Sequence, residues 1–193
     1  ALLSNTLGYQ NIAQGYEALR ANTTASRNIA IGNTALYTQS FNNGGATWTS
    51  DNIAIGFEAM YFNQPTASAN SGTQNTAVGH FALRANTTGY QNTAIGHSAG
   101  VANTTGFYGS FFGWEAGRKN TTGLYNTFIG MRAGGENIGG HENVAVGDRA
   151  GGGMSGSTLS DYNTFVGAQA GQLSTALQNT MIAIAITWWP WYA

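Results

Sequence analysis

One pattern of polar and apolar positions, Asn-x-Ala/Phe-x-Gly-x-x-Ala, recurs from one end of the chain to the other. Such self-similarity is typical of repeat architectures, in which each copy forms one structural unit. The pattern's glycine stands at 15, 32, 56, 79, 96, 113, 130, 147 and 167, so five of the eight intervals are 17 residues and the others contain insertions of 7, 6 and 3. Copies begin at Asn11, Asn28, Asn52, Asn75, Asn92, Gly109, Asn126, Asn143 and Asn163, and Asn179-Thr180-Met181-Ile182 starts a tenth.

A 17-residue period is too short for two helices and a turn, and this one is too rich in Gly, Asn and Thr for a single long helix. Short strands joined by tight turns fit the period. In the copy that begins at Asn92, Thr93 and Ile95 should point to one face of a strand and Ala94 to the other, because side chains alternate along a strand. The pattern predicts an all-β fold, a parallel β-roll or β-solenoid of about ten 17-residue coils over residues 1–183.

Three positions of the pattern have a predicted role in this coil. The glycine should supply a backbone conformation or a close approach that a side chain would block. The alanine suits a tight corner. The asparagine that begins each copy can form a ladder of side-chain hydrogen bonds from coil to coil.

The fourth position of the pattern is Ile, Val or Phe in eight of nine complete copies, and the third is Ala or Phe. Both strand faces therefore look buried. One coil offers few apolar groups of its own to offset the entropy of ordering 17 residues. We expect lateral association of chains around an axis, with a homotrimer as the obvious arrangement.

Composition narrows the classes of partner. Charged residues make up 8% of the chain and aromatic residues 12%, so the low charge does not indicate disorder. A net charge of −1 leaves no basic patch for nucleic acid or an anionic membrane. No cysteine is present. The most apolar stretch, residues 181–193, contains Pro190 and is shorter than the roughly 20 residues of a membrane-spanning helix.

Motifs with catalytic or metal-binding chemistry are better explained by the repeat. Residues 96–100 read Gly-His-Ser-Ala-Gly, as in the nucleophile elbow of hydrolases, but that elbow needs a strand-turn-helix setting. His80 and His97 are one period apart, yet two imidazoles make a weak metal site. One position further along the repeat, the next two coils carry Glu115 and Arg132. These two residues are one period apart, which predicts an ion pair between them. We predict no enzyme activity, catalytic residue, cofactor or metal.

The three insertions, near residues 38–50, 62–73 and 151–162, are where binding specificity is expected, since insertions leave a repeat core undisturbed. The candidate receptor-contact residues are Phe41, Trp48, Phe62, Pro65, Met154 and Tyr162. Segment 184–193 breaks the repeat and is predicted to be a cap or a contact to another fibre element, because open solenoid ends need cover. Its candidate assembly residues are Trp188, Trp189, Trp191 and Tyr192.

The sequences Asn-Thr-Ala-Ile-Gly-His-Ser-Ala-Gly at 92–100 and Asn-Val-Ala-Val-Gly-Asp-Arg-Ala-Gly at 143–151 resemble the head repeats of trimeric autotransporter adhesins. They are also similar to repeats of bacteriophage and bacterial tail-fibre-like proteins, where Asn-Thr-Thr-Gly, present here at 86–89, is frequent. The resemblance covers about residues 5–183. It implies a left-handed, homotrimeric β-roll that acts as an extracellular spacer or adhesive head, although adhesin-head repeats are usually shorter.

The function expected from these features is that of a structural and receptor-binding fibre segment, on a virion tail or a bacterial cell surface. Its attachment would be multivalent and non-covalent. The expected partners are further copies of the chain, neighbouring fibre elements and a cell-surface glycan or protein receptor. Two alternatives are an ice-binding β-solenoid, suggested by the many threonines, and a self-assembling extracellular filament. A hydrolase that uses Ser98 is a third and weaker reading.

Overall fold

The computed structural model describes residues 1–40, 44–66, 68, 70–152 and 161–172, and the backbone of residues 182–184. Its strands form one ten-stranded sheet and one two-stranded sheet. The long sheet contains β1 (Ile12–Gln14), β3 (Ile29–Ile31), β5 (Ile53–Ile55), β6 (Thr76–Val78), β7 (Thr93–Ile95), β8 (Ser110–Phe112), β9 (Thr127–Ile129), β10 (Val144–Val146), β11 (Thr164–Val166) and β12 (Ile182–Ile184). The short sheet pairs β2 (Ala25–Ser26) with β4 (Trp48–Thr49).

Neighbouring strands of the long sheet are parallel and follow chain order, so each coil contributes one strand. Thr76 pairs with Thr93 and Thr93 with Ser110, one 17-residue period apart. The predicted parallel β-solenoid is confirmed. The described residues contain no helix long and apolar enough to cross a membrane.

The last strand corrects the alignment of the tenth copy. Ile182 pairs with Thr164 and Ala183 with Phe165, so Ile182 occupies the second position of the pattern. A copy that began at Asn179 would have placed Ile182 at the fourth position. The difference is two residues, which preserves the alternation of faces along a strand.

Each coil leaves its strand through a corner held by bonds to neighbouring coils. The pattern's glycine has φ between 118° and 134° in all nine copies. Ser98 and Glu115, two residues after their glycines, have φ of 57° and 54°, which is uncommon for residues other than glycine. The N–H of Ser98 donates to the carbonyl of His80, and that of Glu115 to the carbonyl of His97, at 2.8 and 2.9 Å. These bonds between coils offset the cost of the left-handed conformation.

The apolar half of the interior is filled by one large side chain in most coils. In the coils of Ala30, Ala54 and Ala77 the ninth position is Leu36, Met60 and Leu83, respectively, whereas the coils of Ala94 and Ala145 have glycine there. Where the third position is phenylalanine, as at Phe111, Phe128 and Phe165, the ninth position is Gly117, Gly134 or Gly171. The alanine of the pattern is buried at the corner beside them, as predicted.

The polar half of the interior consists of two stacks of asparagine. In the predicted one, the N–H and Nδ2 of Asn92 both donate to Oδ1 of Asn75, at 3.0 and 3.2 Å. The ladder predicted at the start of each copy is therefore confirmed. A second ladder joins Asn103 to Asn86 and Asn120 to Asn103, through bonds of 2.9 and 3.0 Å. Asn86, Asn103 and Asn120 are fully buried, so they are interior residues as well as turn residues.

The two faces of the long sheet differ in burial within one chain. In β7, Ala94 is fully buried, whereas Ile95 is 40% exposed. Ile129 on β9 and Val166 on β11 are exposed to a similar extent. The inward face therefore fills the coil, and the outward face, which we predicted to be buried, is partly open in the single chain.

Candidate functional site

The first two insertions leave the solenoid at the same point of the coil. One begins after Gln39 and the other after Asn63, and Nδ2 of Asn63 donates to Oε1 of Gln39 at 3.1 Å. The carbonyl of Gly72, at the end of the second insertion, accepts bonds from Asn52 and Asn63 at 2.8 and 3.0 Å. These loops are thus anchored in the buried polar ladder. Most of the third insertion, residues 153–160, lies outside the described residues.

Of the candidates in the second insertion, Phe62 is on the surface and Pro65 is not. Phe62 is 39% exposed, and its ring packs edge-on against Tyr61 with centroids 4.7 Å apart. The guanidinium carbon of Arg84 lies 5.2 Å from its centroid. Pro65 is buried, and a β-carbon on Gly72 would lie 3.0 Å from its Cγ. Pro65 therefore supports the loop from within, and its role as a receptor contact stays a prediction.

The remaining candidates are far apart. Trp48 is half-buried on β4, where it pairs with Ala25. Tyr162 is 57% exposed, and its N–H donates to the carbonyl of His141 at 3.0 Å. The structure does not bring the candidates together into one site. The candidates outside the described residues are Phe41, Met154, Trp188, Trp189, Trp191 and Tyr192.

Two aromatic stacks on regular coils were not predicted. The rings of Tyr90 and Phe107 stack with centroids 4.6 Å apart, and those of Tyr108 and Tyr125 at 4.9 Å. Burial, together with the nearby Tyr108 and Tyr125, raises the pKa of Tyr90 above its usual value. Each stacked pair is one period apart, so aromatic residues at 17-residue spacing were the signal that could have revealed these stacks.

A third aromatic group includes the two histidines singled out in the sequence. The rings of His80 and His97 stack with centroids 6.2 Å apart and are solvent-exposed. Phe57 and Phe81 pack edge-on beside them, with centroids 5.4 Å apart. Across the described part of the chain, no group of three or more His, Cys, Asp or Glu side chains could hold a metal ion.

The charged side chains are concentrated in the coils that contain β8, β9 and β10. Nε of Arg132 lies 2.8 Å from Oε2 of Glu115, so the predicted ion pair is confirmed. Glu136 receives hydrogen bonds from Arg118 and from Lys119, the second at 2.5 Å. Burial acts to raise the pKa of Glu136, but the bonds and charges of Lys119 and Arg118 outweigh it and lower the pKa below its usual value.

Ser98 lies at a solenoid corner. Its Oγ is 2.9 Å from Nδ1 of the adjacent His97. Among the described residues, no carboxylate hydrogen-bonds to His97 or forms an ion pair with it, and no helix follows Ser98. A nucleophile elbow needs both a helix and an acidic partner for its histidine. The contact between Ser98 and His97 therefore lacks the rest of a catalytic triad.

Comparisons with known proteins found no match to a family model, to a curated protein or to a solved structure.

Proposed function

We propose that this chain is a structural and receptor-binding segment of an extracellular fibre, assembled as a homotrimer through the outward face of its long sheet. The observation that supports this proposal is an uncharged, largely apolar surface that runs the length of the sheet. On β1, β3 and β5–β11, the outward residues are isoleucine, valine, phenylalanine, threonine, serine and one glutamine, Gln14. Ile95, Phe112, Ile129 and Val166 are 36–42% exposed.

A continuous apolar surface of this kind marks an interaction site, because monomeric soluble proteins rarely expose a large one. The parallel register places identical positions at about 4.8 Å intervals along the sheet. A flat row with that repeat matches the same row on another copy of the chain. Three copies around one axis would cover three such faces, leaving the insertions and aromatic stacks on the outside.

Receptor binding would then reside on the outer surface of the trimer. Every outer group would be present three times in fixed geometry, so that weak contacts to a cell surface reinforce one another. Phe62 beside Arg84 and the stacked Tyr90 and Phe107 are the outer groups best suited to contact. Aromatic rings bury a large area at little entropic cost. A virion tail fibre and a bacterial surface adhesin are the proposed settings.

Sedimentation velocity with light scattering tests the assembly. We expect the mass of three chains for the protein and a shift to single chains for Ile129→Asp. Met131→Asp is the matched control, because Ile129 and Met131 are apolar and 42% and 41% exposed, but Met131 follows the glycine corner. A monomeric parent protein would overturn the trimer, and a mass far above three chains would support the filament alternative instead.

A second candidate function, ice binding, is favoured by one observation. Thr76, Thr93, Thr127 and Thr164 occupy the same outward position on their strands, which gives a row of regularly spaced hydroxyl-bearing residues. Ser110 keeps a hydroxyl group at this position, and Val144 interrupts the row. Thermal hysteresis measured on the monomeric Ile129→Asp variant and on the parent protein separates the two functions. Hysteresis in the parent would favour ice binding, and its absence from both would leave the fibre proposal.

A further inference from the structure

Charged side chains of both signs are gathered on one stretch of the solenoid, where four basic residues are accompanied by the acidic residues Glu115, Glu136, Glu142, Asp148 and Asp161. The chain has seven basic residues, and four of them, Arg118, Lys119, Arg132 and Arg149, lie within three successive coils. Three of these arginines line a cleft of about 180 Å³ together with Glu136 and Gln172. The lining side chains thus carry three positive charges and one negative charge. We refer to this feature as the arginine cleft.

Two glycines form the floor of the arginine cleft. Gly135 and Gly152 occupy a position, five residues after the pattern's glycine, at which other coils carry a larger side chain. That position is Arg118 one coil before the two glycines and Gln172 one coil after them. Neither glycine has a positive φ, and an added β-carbon would lie 2.9 Å from the carbonyl oxygen of Arg132 at Gly135 and 3.0 Å from that of Arg149 at Gly152. Their effect is to remove two successive side chains and leave a gap of about 10 Å along the solenoid.

The arginines differ in how far their charge is already balanced. Arg118 hydrogen-bonds to Glu136, and Arg132 pairs with Glu115. The guanidinium carbon of Arg132 also lies 4.5 Å from the centroid of the Trp114 ring, a contact that holds its plane in place. Within the described residues, the guanidinium of Arg149 has neither an ion pair nor a hydrogen bond. Arg149 is therefore a donor group available to a ligand.

We infer that the arginine cleft binds an acidic saccharide unit, with the ligand's oxyanion on Arg149 and its hydroxyl groups on Glu136 and Gln172. A guanidinium presents a planar fork of N–H donors that matches a carboxylate or phosphate with two parallel bonds. Glu136 has a lowered pKa and is ionised at neutral pH, so its carboxylate accepts hydrogen bonds from hydroxyl groups. This inference rests on the proposed receptor-binding function and names its ligand class.

The mixture of groups favours a saccharide over an acidic peptide. An acidic peptide has a carboxylate for Arg149, but its remaining charge would be repelled by Glu136. A saccharide offers hydroxyl groups that both donate and accept, which suits a cleft lined by a carboxylate and an amide. The cleft is smaller than the roughly 300–1,000 Å³ of pockets for drug-sized ligands, so it fits one unit of a longer chain.

Calorimetric titration of the full chain with trigalacturonate at low salt tests the inference. We expect binding to the parent protein, and binding about tenfold or more weaker to Arg149→Gln, because a charge-assisted hydrogen bond is lost. Arg27→Gln is the matched control, because it removes one positive charge at an ion pair with Asp51, outside the cleft. It should bind as the parent does. Gly152→Gln, which places a larger side chain on the floor, should abolish binding while the variant stays folded, with a small fall of the unfolding midpoint because its β-carbon would lie 3.0 Å from the carbonyl oxygen of Arg149.

Titrations with three further ligands distinguish an acidic saccharide from an uncharged saccharide, an acidic protein and a simple anion. The methyl ester of trigalacturonate keeps the hydroxyl groups but not the charge, and equal binding of this ester would overturn the inference. Tighter binding of polyglutamate than of trigalacturonate would overturn it in favour of an acidic protein partner. Inorganic phosphate that binds as tightly as trigalacturonate would show that the saccharide hydroxyls make no contribution, which also overturns it. Absence of binding by trigalacturonate has the same consequence.

The oligomeric state is measured on the same samples, so that the trimer proposal and the saccharide-binding proposal are tested independently of each other. A trimer that binds no trigalacturonate would remove the arginine cleft and leave the fibre assembly. A monomer that binds trigalacturonate through Arg149 would remove the trimer and leave the cleft. Circular dichroism of each variant confirms that its strands are intact.

Discussion

The ring of Phe111 fills the space inside its coil that a side chain at Gly117 would occupy. A β-carbon on Gly117 would lie 2.6 Å from Cδ1 of Phe111, closer than two such atoms can approach. In the coil that contains Ala77, the equivalent ninth position is Leu83, which is fully buried. Close packing therefore allows a large side chain at the third or at the ninth position of a coil, and not at both.

Moving the large side chain from the third position of this coil to the ninth tests whether the two positions share one space. Phe111→Ala should lower the free energy of unfolding by about 3 to 5 kcal/mol, because it leaves a cavity. Gly117→Leu should also destabilise, because leucine has no room beside the ring. The double variant should recover part of the loss, since leucine with φ between 47° and 53° is native at Leu19, Leu36 and Leu83. A double-mutant cycle from urea unfolding should give a coupling of roughly 1 to 3 kcal/mol, and additive effects would contradict the shared space.

The glycine after each strand should be far less replaceable than a glycine with positive φ in an open loop. In Gly96→Ala, the new β-carbon would lie 2.5 Å from the carbonyl oxygen of Gly113 in the next coil. We expect loss of more than about 4 kcal/mol or failure to fold, because two backbones would have to separate. Gly44→Ala is the control. Gly44 has φ 62° with no atom within 4 Å of the added carbon, so a cost of about 1 kcal/mol is expected in thermal unfolding.

The second asparagine ladder should contribute as much as a buried hydrogen-bond network. Nδ2 of Asn103 donates to Oδ1 of Asn86 and to the carbonyl of Gly106, at 2.9 and 3.0 Å. Its own Oδ1 accepts from Asn120. Asn103→Ala leaves the buried Oδ1 of Asn86 without its donor, whereas the carbonyl of Gly106 keeps a bond from Asn92 and Nδ2 of Asn120 keeps one to Gly123. We expect a loss of about 2 to 4 kcal/mol in urea unfolding. Thr105→Ala, at an exposed position nearby, should change stability by less than about 0.5 kcal/mol. Equal effects of the two substitutions would contradict this role of the ladder.

Low pH should decrease the free energy of unfolding, partly through protonation of Glu136. Its pKa is lower in the folded chain than the ordinary value of 4.5, so the unfolded chain takes up a proton first as the pH falls. The stability due to this difference is complete above pH 4.5 and is lost as the pH decreases through the folded pKa. Urea midpoints of Glu136→Gln should therefore fall less than those of the parent between about pH 6 and pH 3. Glu142→Gln removes a carboxylate without an ion pair among the described residues and should retain the parent's pH dependence.

The periodic features of the fold could be predicted because identical positions stack on one another. The 17-residue spacing correctly gave the parallel register of Thr76, Thr93 and Ser110, and it placed Glu115 next to Arg132. The ladder of Asn75 and Asn92 followed from the same argument. Receptor binding, trimerisation and the role of the aromatic C-terminal segment stay predictions.

Features that depend on the cross-section of the coil needed the tertiary structure. Sequence spacing does not show which positions of one coil converge inside, so the exchange of volume between Phe111 and Gly117 was missed. The burial of Pro65 depends on how an irregular loop folds back, and the register of Ile182 was wrong by two residues where the repeat decays. The cleft over Gly135 and Gly152 arises because side chains are absent from one stacked column. The sequence by itself determined the coil and its stacking direction, because these features repeat. Only the tertiary structure decided the packing within each coil, because that packing depends on the path of the chain between strands.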